Sequence, residues 1–507
     1  PCTISSGHLC TSPNICVNNL CATPTPTATP TPAAQPTINP NQINPFVRTL
    51  SGNNNMCSNW NSAVMAPDGS VWSGRWLAAY DNGNYGNPLI EIRKFRNDGS
   101  LAFTRTEQLA PGIPTSDLQL PVVLATADGG VLTVLTHWYN PTTHGRGSVI
   151  RKYTETGVLQ WTLPLRAPGT YGNMQIWTAV EYNDSFILAG QSNGWSSSGS
   201  GIAFVTRISS SGTVQWARVI SVLDAPASWG SSVNKVNVNT NGEITLLAIS
   251  DQQGYTAGEE DAHFYRISMS DGTLLSAIRI GDANKELGLS FYPLNVAVGA
   301  NVAAMPGGGF TWFHRQRLEF PNTTDRFVVL NGDGTFRRSY GAYSDSGNWY
   351  PSSIAGVTGD PNKIVVDWAP AMLDREIGLS IFNLDTNMTL HMNRKIAHPN
   401  LSYTCTRGNH ISTRNGAFLF STQCRDMSAN PCLAREVTIV RSDTSGNIPS
   451  CSYMQTPEAP EIFPYGASNP AAVQIPIGTF NSFAVTPELA TSGYVQVADT
   501  SVGNSCR

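Results

Sequence analysis

Charge is what this sequence has least of. Asp, Glu, Lys and Arg make up 13% of its 507 residues, about half the share usual in globular chains. The formal net charge is only −4, and no block of like charges occurs. That removes the electrostatic footprint expected of a protein that binds nucleic acid or an anionic membrane surface. Long apolar runs are missing too, so no membrane-spanning helix is expected. No basic or apolar leader stands at Pro1, and the chain reads as a processed, secreted form. HExxH pairs and EF-hand spacing are also missing, and no metal or cofactor is expected.

Glycine and proline, at 45 and 33 residues, are abundant, as are Ser, Thr and Asn. This composition favours short strands and many turns over helices. Ten cysteines, four of them crowded between Cys2 and Cys21, suit an oxidising, extracellular or cell-surface location.

Composition divides the chain into segments. Residues 1–21 hold Cys2, Cys10, Cys16 and Cys21 with too few apolar side chains for a core, so disulfides would have to stabilise this module; the four cysteines allow three connectivities. Residues 22–41 carry Pro24, Pro26, Pro30, Pro32, Pro36 and Pro40. Proline locks φ and removes amide donors, which leaves a polyproline II linker. Residues 42–455 form the main body, and 456–507 a tail with strand character but no further repeat.

The main body repeats. A tight turn falls at Asp68-Gly69, Asp128-Gly129, Asn183-Asp184, Asn241-Gly242, Gly307-Gly308, Asp360 to Asn362, and Asn415-Gly416. Each precedes a short, densely apolar strand such as VLTVLTH or ITLLAIS, the pattern of a strand covered on both faces. A third strand follows, IRKF at Ile92–Phe95 and IRKY at Ile150–Tyr153. Its alternation of apolar residues with Arg, Lys or Thr predicts a half-exposed face. A second turn then places Gly at 99, 157, 212, 272, 334 and 446, with Asn387 filling the remaining position. The clearest match is GVLQW ending at Trp161 and GTVQW ending at Trp216, where the tryptophans take the same place in successive units.

Seven such units of four strands predict an all-β chain, a seven-bladed β-propeller of antiparallel blades. The pattern resembles the β-propeller repeats of bacterial secreted and surface proteins. It lacks WD dipeptides, kelch glycine pairs in register and calcium-loop repeats, and the resemblance implies a fold rather than an activity. Pro45–Leu50 sits where the last strand of a preceding blade would sit, so it is expected to complete blade seven. Cys57 and Cys405 start neighbouring blades of a closed ring and are expected to pair. Cys424 with Cys432 and Cys451 with Cys506 follow as the remaining bridges.

Candidate chemistry is sparse. Gly190-Gln191-Ser192-Asn193-Gly194 fits G-x-S-x-G but has no strand-to-helix elbow around it. His137, His263, His314 and His410 show no metal-ligand spacing, and Glu259, Glu260 and Asp261 read as a solvated loop. Asp367, Asp374 and Glu376 would supply an acid and a base for glycoside cleavage only if they faced a pocket. Trp138, Tyr139, Trp195, Trp229, Trp349 and Tyr350 would stack on sugar rings, or simply pack their loops. Asn183, Asn322, Asn387 and Asn400 lie in glycosylation sequons, and Thr23, Thr25, Thr27, Thr29 and Thr31 suit O-glycans.

The expected function is therefore a non-catalytic extracellular structural glycoprotein. It would be a subunit of a surface assembly or fibre that binds copies of itself through its N-terminal module and linker. The alternatives are an adhesin for cell-surface glycans and a propeller-type glycoside hydrolase or lyase.

Overall fold

The computed structural model describes residues 15–17, 20–22, 43–51, 56–81, 84–109, 122–140, 144–167, 174–192, 201–222, 229–252, 261–281, 302–317, 323–343, 349–370, 376–397, 403–406, 411–426, 435–443 and 446–448, and six short strands between 454 and 497. Two compact units result, Pro1–Thr37 and Ile38–Arg507. In the first, Ile15–Val17 and Leu20–Ala22 form a hairpin.

The second unit is an all-β propeller of seven blades. Blade one runs through Met56–Met65, Val71–Asp81, Asn84–Phe95 and Leu101–Leu109, paired antiparallel in chain order. Blades two to six repeat this meander from Val122, Met174, Trp229, Val302 and Trp349. In blade seven the inner strand is split into Tyr403–Thr406 and Ile411–Arg414, both paired with Ala417–Asp426. Arg435–Arg441 follows, and the outer strand is Phe46–Ser51 from the other end of the unit, as expected from the sequence. The first strand of every blade touches the first strands of both neighbours, which closes the ring around the axis.

The second strands carry the core between blades. Trp72, Leu132, Leu188, Leu246, Trp312, Val366 and Leu419 are fully or almost fully buried, and each such side chain contributes about 1.5–3 kcal/mol on burial. The cores lie between adjacent blades; one cluster joins Leu132 and Ile150 of blade two to Phe186 and Phe204 of blade three.

The tail is a belt. Met454–Gln455, Glu461–Pro464, Ala471–Ile475, Phe480–Ala484, Glu488–Leu489 and Tyr494–Val497 add a fifth antiparallel strand to the outer edges of blades six, five, four, three, two and one, in that order. The tail therefore packs on its own disc, and the chain winds back around the ring that it has just built.

Three local expectations are corrected. The first turn of blade six lies at Thr358-Gly359, with Gly359 at φ 85°. Asp360 to Asn362 instead begin the next strand, because the bulge at Gly356/Val357 shifts the hairpin. In the second turn of that blade the left-handed residue is Met388, at φ 50°, and not Asn387. Its side chain is buried against Trp368 and Phe382, which offsets the backbone strain that glycine avoids elsewhere. Finally, Arg207 and Arg266 are half-buried as the alternation predicts, but the third-strand cations Arg93, Lys94, Arg151, Lys152 and Arg441 are all buried. Their charges are met by carboxylates and by backbone carbonyls, many of them on the next blade.

Candidate functional site

The residues singled out for chemistry do not converge. Ser192 is fully buried at the end of strand Ser185–Ser192, and Gly190 packs so closely that a Cβ there would collide with the Gln175 carbonyl oxygen. This is sheet interior, not a nucleophile elbow. Asp367 is fully buried within blade six, opposite Ser353 and Leu379. Glu376 begins the neighbouring strand, while Asp374 lies outside the described residues. His263 is buried, its ring 5.9 Å from that of Tyr265. Trp138, Tyr139, Trp229, Trp349 and Tyr350 lie in strands, as do His137, His314 and Asp261. Glu259, Glu260, Trp195 and His410 are outside the described residues, and among those described no cluster of three metal-ligating side chains occurs.

Asn183 and Asn387 sit exposed on turns, while Asn322, Asn400 and the linker threonines lie outside the described residues. Among the cysteines, register sets Cys16 opposite Cys21 and Cys405 opposite Cys424, and it sets Cys57 opposite Ala78. Cys2, Cys10, Cys432, Cys451 and Cys506 fall outside the described residues.

What the blades do assemble is a repeated tie from one to the next. On the outer strands, Phe46, Phe103, Trp161 and Trp216 each lie against the second-turn glycine of the following blade. A Cβ on Gly99, Gly157, Gly212 or Gly272 would stand 2.8, 2.5, 2.8 or 2.7 Å from its nearest neighbour there. Trp161 Nε1 donates to the Ser210 carbonyl at 2.8 Å, and Trp216 Nε1 to that of Met269 at 3.1 Å. Two residues beyond these aromatics, Arg48, Arg105 and Arg218 donate to Gly99, Gly157 and Asp271 carbonyls at 2.6, 3.0 and 3.0 Å. The matching places of Trp161 and Trp216 are thus the sequence trace of this tie, and the arginine two residues on was the signal left unread.

Charge is concentrated between blades one and two. Glu91 accepts from Arg75 Nε at 2.5 Å and lies 2.8 Å from Arg93 Nε. Burial alone would raise its pKa, but the two guanidiniums hold the carboxyl below its ordinary value. Glu107 takes Arg105 at 2.8 Å, the Tyr153 hydroxyl at 3.1 Å and the guanidinium of Arg151 across the blade boundary. On the inner ring Glu181 of blade three accepts the Ala127 N–H of blade two at 2.6 Å, and burial raises its pKa. Burial also lowers the pKa of two inner-strand cations, Lys235 and Arg414. At the closing seam Arg441 of blade seven donates to the carbonyls of Asn44, Gly69 and Asn97.

No protein-family description matches the chain, and neither does any curated protein. Among solved structures it is similar to a protein of unknown function from Dyadobacter fermentans, at 12% identity and a TM-score of 0.40, covering 78% of this chain and 97% of that one. The polysaccharide lyase Uly1 matches at 9% identity and 0.45, over 76% and 90% of the two chains. The NanB sialidase of Streptococcus pneumoniae matches at 9% and 0.40, over 78% and 70%. At this level the likenesses carry no argument about activity.

Proposed function

We propose that the protein is a non-catalytic extracellular structural glycoprotein, a subunit of a surface assembly or fibre joined through residues 1–41. The observation that carries this reading is the lacing of the disc by both ends of its unit. Phe46–Ser51 completes blade seven, and the strands from Met454 to Val497 girdle the other six. Such a disc has to release its belt or its seam before any blade can leave. That arrangement favours persistence outside the cell over motion at a site.

The placement of Ser192 and Asp367 in sheet interiors supports the same reading, as do the exposed sequon residues Asn183 and Asn387. The N-terminal module and linker are then the parts that reach another copy, in a head-to-tail contact that repeats without closing. Electron micrographs of the full chain should show repeating fibres, and of residues 42–507 single discs. Fibres from both, or single particles from both, would sink the proposal, as would cleavage of a polysaccharide by the purified full chain.

A further inference from the structure

Among the described residues, six blades end in a belt strand from the tail and the seventh does not. The outer strand of blade seven, Phe46–Ser51, pairs with Arg435–Arg441 on one side; among the described residues it has no neighbour on the other. Register tells which of its groups face outward. Phe418 directs its N–H and C=O towards Ser442, away from the inner strand. Antiparallel residues alternate in this respect. Carrying the alternation through Phe420↔Val440 and Ile439↔Arg48 turns Phe46, Arg48 and Leu50 inward and leaves the backbone groups of Val47, Thr49 and Ser51 on the edge. In keeping with that phase, Arg48 Nη1 reaches round to the Val47 carbonyl at 3.0 Å.

The belt itself points to what covers this edge. Its strands begin at Met454, Glu461, Ala471, Phe480, Glu488 and Tyr494, so it advances by one blade at each short step along the chain. After blade one the next edge in that order belongs to blade seven. We propose that residues 498–507, which follow the last belt strand, add an antiparallel fifth strand to Phe46–Ser51. The segment ADTSVGNSCR contains Thr500 and Val502, which suit a strand, and no proline. An open edge is otherwise a template for pairing with another chain.

On this path Cys506 falls in the proposed strand, and the first belt strand begins three residues after Cys451 in the chain. The Cys451–Cys506 bridge expected from the sequence would then shut the belt covalently. Two thiols give one disulfide, and their two protons and two electrons pass to a disulfide-bearing oxidant of the secretory route.

Hydrogen exchange on the full chain and on a chain ending at Asp499 tests the proposal. The amides of Val47, Thr49 and Ser51 should be protected at least tenfold more in the full chain, equally at low and high protein concentration. Equal exchange in the two chains overturns the proposal. So does protection that grows with concentration, which would assign the edge to a second copy.

A second inference rests on register alone. We infer that Cys405–Cys424 and Cys16–Cys21 are disulfides. Cys424 has the same phase as Phe418, so Cys405↔Cys424 is a non-hydrogen-bonded pair. Cys16↔Cys21 is one step beyond Val17↔Leu20, which closes a two-residue hairpin, and so has that phase too. Such pairs bring Cα atoms to about 4.5 Å, within the roughly 4.4–6.8 Å that a disulfide spans. Each bond forms from two thiols with loss of two protons and two electrons to the same class of oxidant.

In blade seven this bond fixes the first half of the split inner strand, and it replaces the Cys57–Cys405 and Cys424–Cys432 pairs suggested by the sequence. Peptide mapping of the full chain without reduction should recover both cross-strand links. Finding Cys57–Cys405, Cys424–Cys432, or free thiols at Cys405 and Cys424 overturns the blade-seven assignment, and Cys16 bonded to Cys2 or Cys10 overturns the other.

Discussion

The guanidinium of Arg441 lies 4.4 Å above the centre of the Phe46 ring, and these two residues hold the seam of the propeller. Arg441 ends the third strand of blade seven, and Phe46 begins the outer strand that the other end of the unit supplies. The same guanidinium donates to the carbonyls of Asn44, Gly69 and Asn97, so it gathers that outer strand and both hairpins of blade one. Burial lowers its pKa to about 10, still far above neutrality, and the charge is retained at pH 7.

Arg441→Ala leaves three carbonyls without this donor, that of Gly69 in a buried position and those of exposed Asn44 and half-buried Asn97 open to water. At about 1–3 kcal/mol for the buried group left unsatisfied, the loss should reach at least about 1 kcal/mol in urea unfolding. Combining Arg441→Met with Phe46→Leu should reveal a coupling of about 0.5–2 kcal/mol for the cation–ring contact. A coupling of zero would mean that the stacking is incidental.

Glu91 and Glu181 should respond to acid with opposite signs. The folded pKa of Glu91 is depressed, so its ionised form contributes stability above the ordinary value of 4.5 that is lost as pH falls through the lowered value. Glu91→Gln removes the carboxylate between Arg75 and Arg93 and should cost about 3–5 kcal/mol at pH 7, with a flatter stability profile below pH 4.5. For Glu181 the folded pKa is raised, so its contribution is full below 4.5 and is lost as pH rises through the raised value. Glu181→Gln keeps an acceptor for the Ala127 N–H and should leave stability at pH 7 unchanged or higher. Urea titrations at pH 4 and pH 7 separate the two.

Glycine substitutions can divide backbone strain from the inter-blade tie. Gly307 and Gly359 have φ of 85°, and an added methyl group would meet nothing within 4 Å, so Gly→Ala there should cost only the left-handed strain, about 1–2 kcal/mol. Gly212 has φ of 86°, and its added methyl would stand 2.8 Å from Trp161. Displacing that ring adds about 1–3 kcal/mol. Equal losses at the three sites, measured by thermal unfolding, would show that the aromatic contact contributes nothing.

Turn chemistry made the seven units legible in the sequence, because only a few residues tolerate φ > 0 and they recur wherever a hairpin must be tight. Blade six was misread where Met388 takes a glycine's place, since burial against Trp368 can override local preference and leaves no local mark. The third-strand cations looked solvent-facing because alternation records polarity, not what satisfies it. Lys94, for example, reaches the Glu155 carbonyl at 3.3 Å in the next blade and lies 5.2 Å from the Trp72 ring. The belt was visible only as strand character in AAVQIPIG and GYVQVAD. Its partners are mostly far away in the chain, as when Ala471–Ile475 joins Leu274–Gly281. No periodicity reports such pairing. The candidate site was less legible still, for the inter-blade ties fall on different blades and have meaning only once the ring is closed.

Removing the belt tests whether it builds the disc or protects it. The hydrophobic clusters join side chains of adjacent blades, so a chain ending at Ser450 should still fold with native-like β content. It would expose the outer strands of blades one to six, each now covered by a belt strand, and unpaired edges recruit other chains. Residues 42–450 should therefore melt at lower temperature than residues 42–507 and associate in a concentration-dependent way in light scattering, where the longer disc does not. A chain that fails to fold would place the belt among the elements that form the propeller, and a folded chain that stays monomeric would show that these edges need no cover.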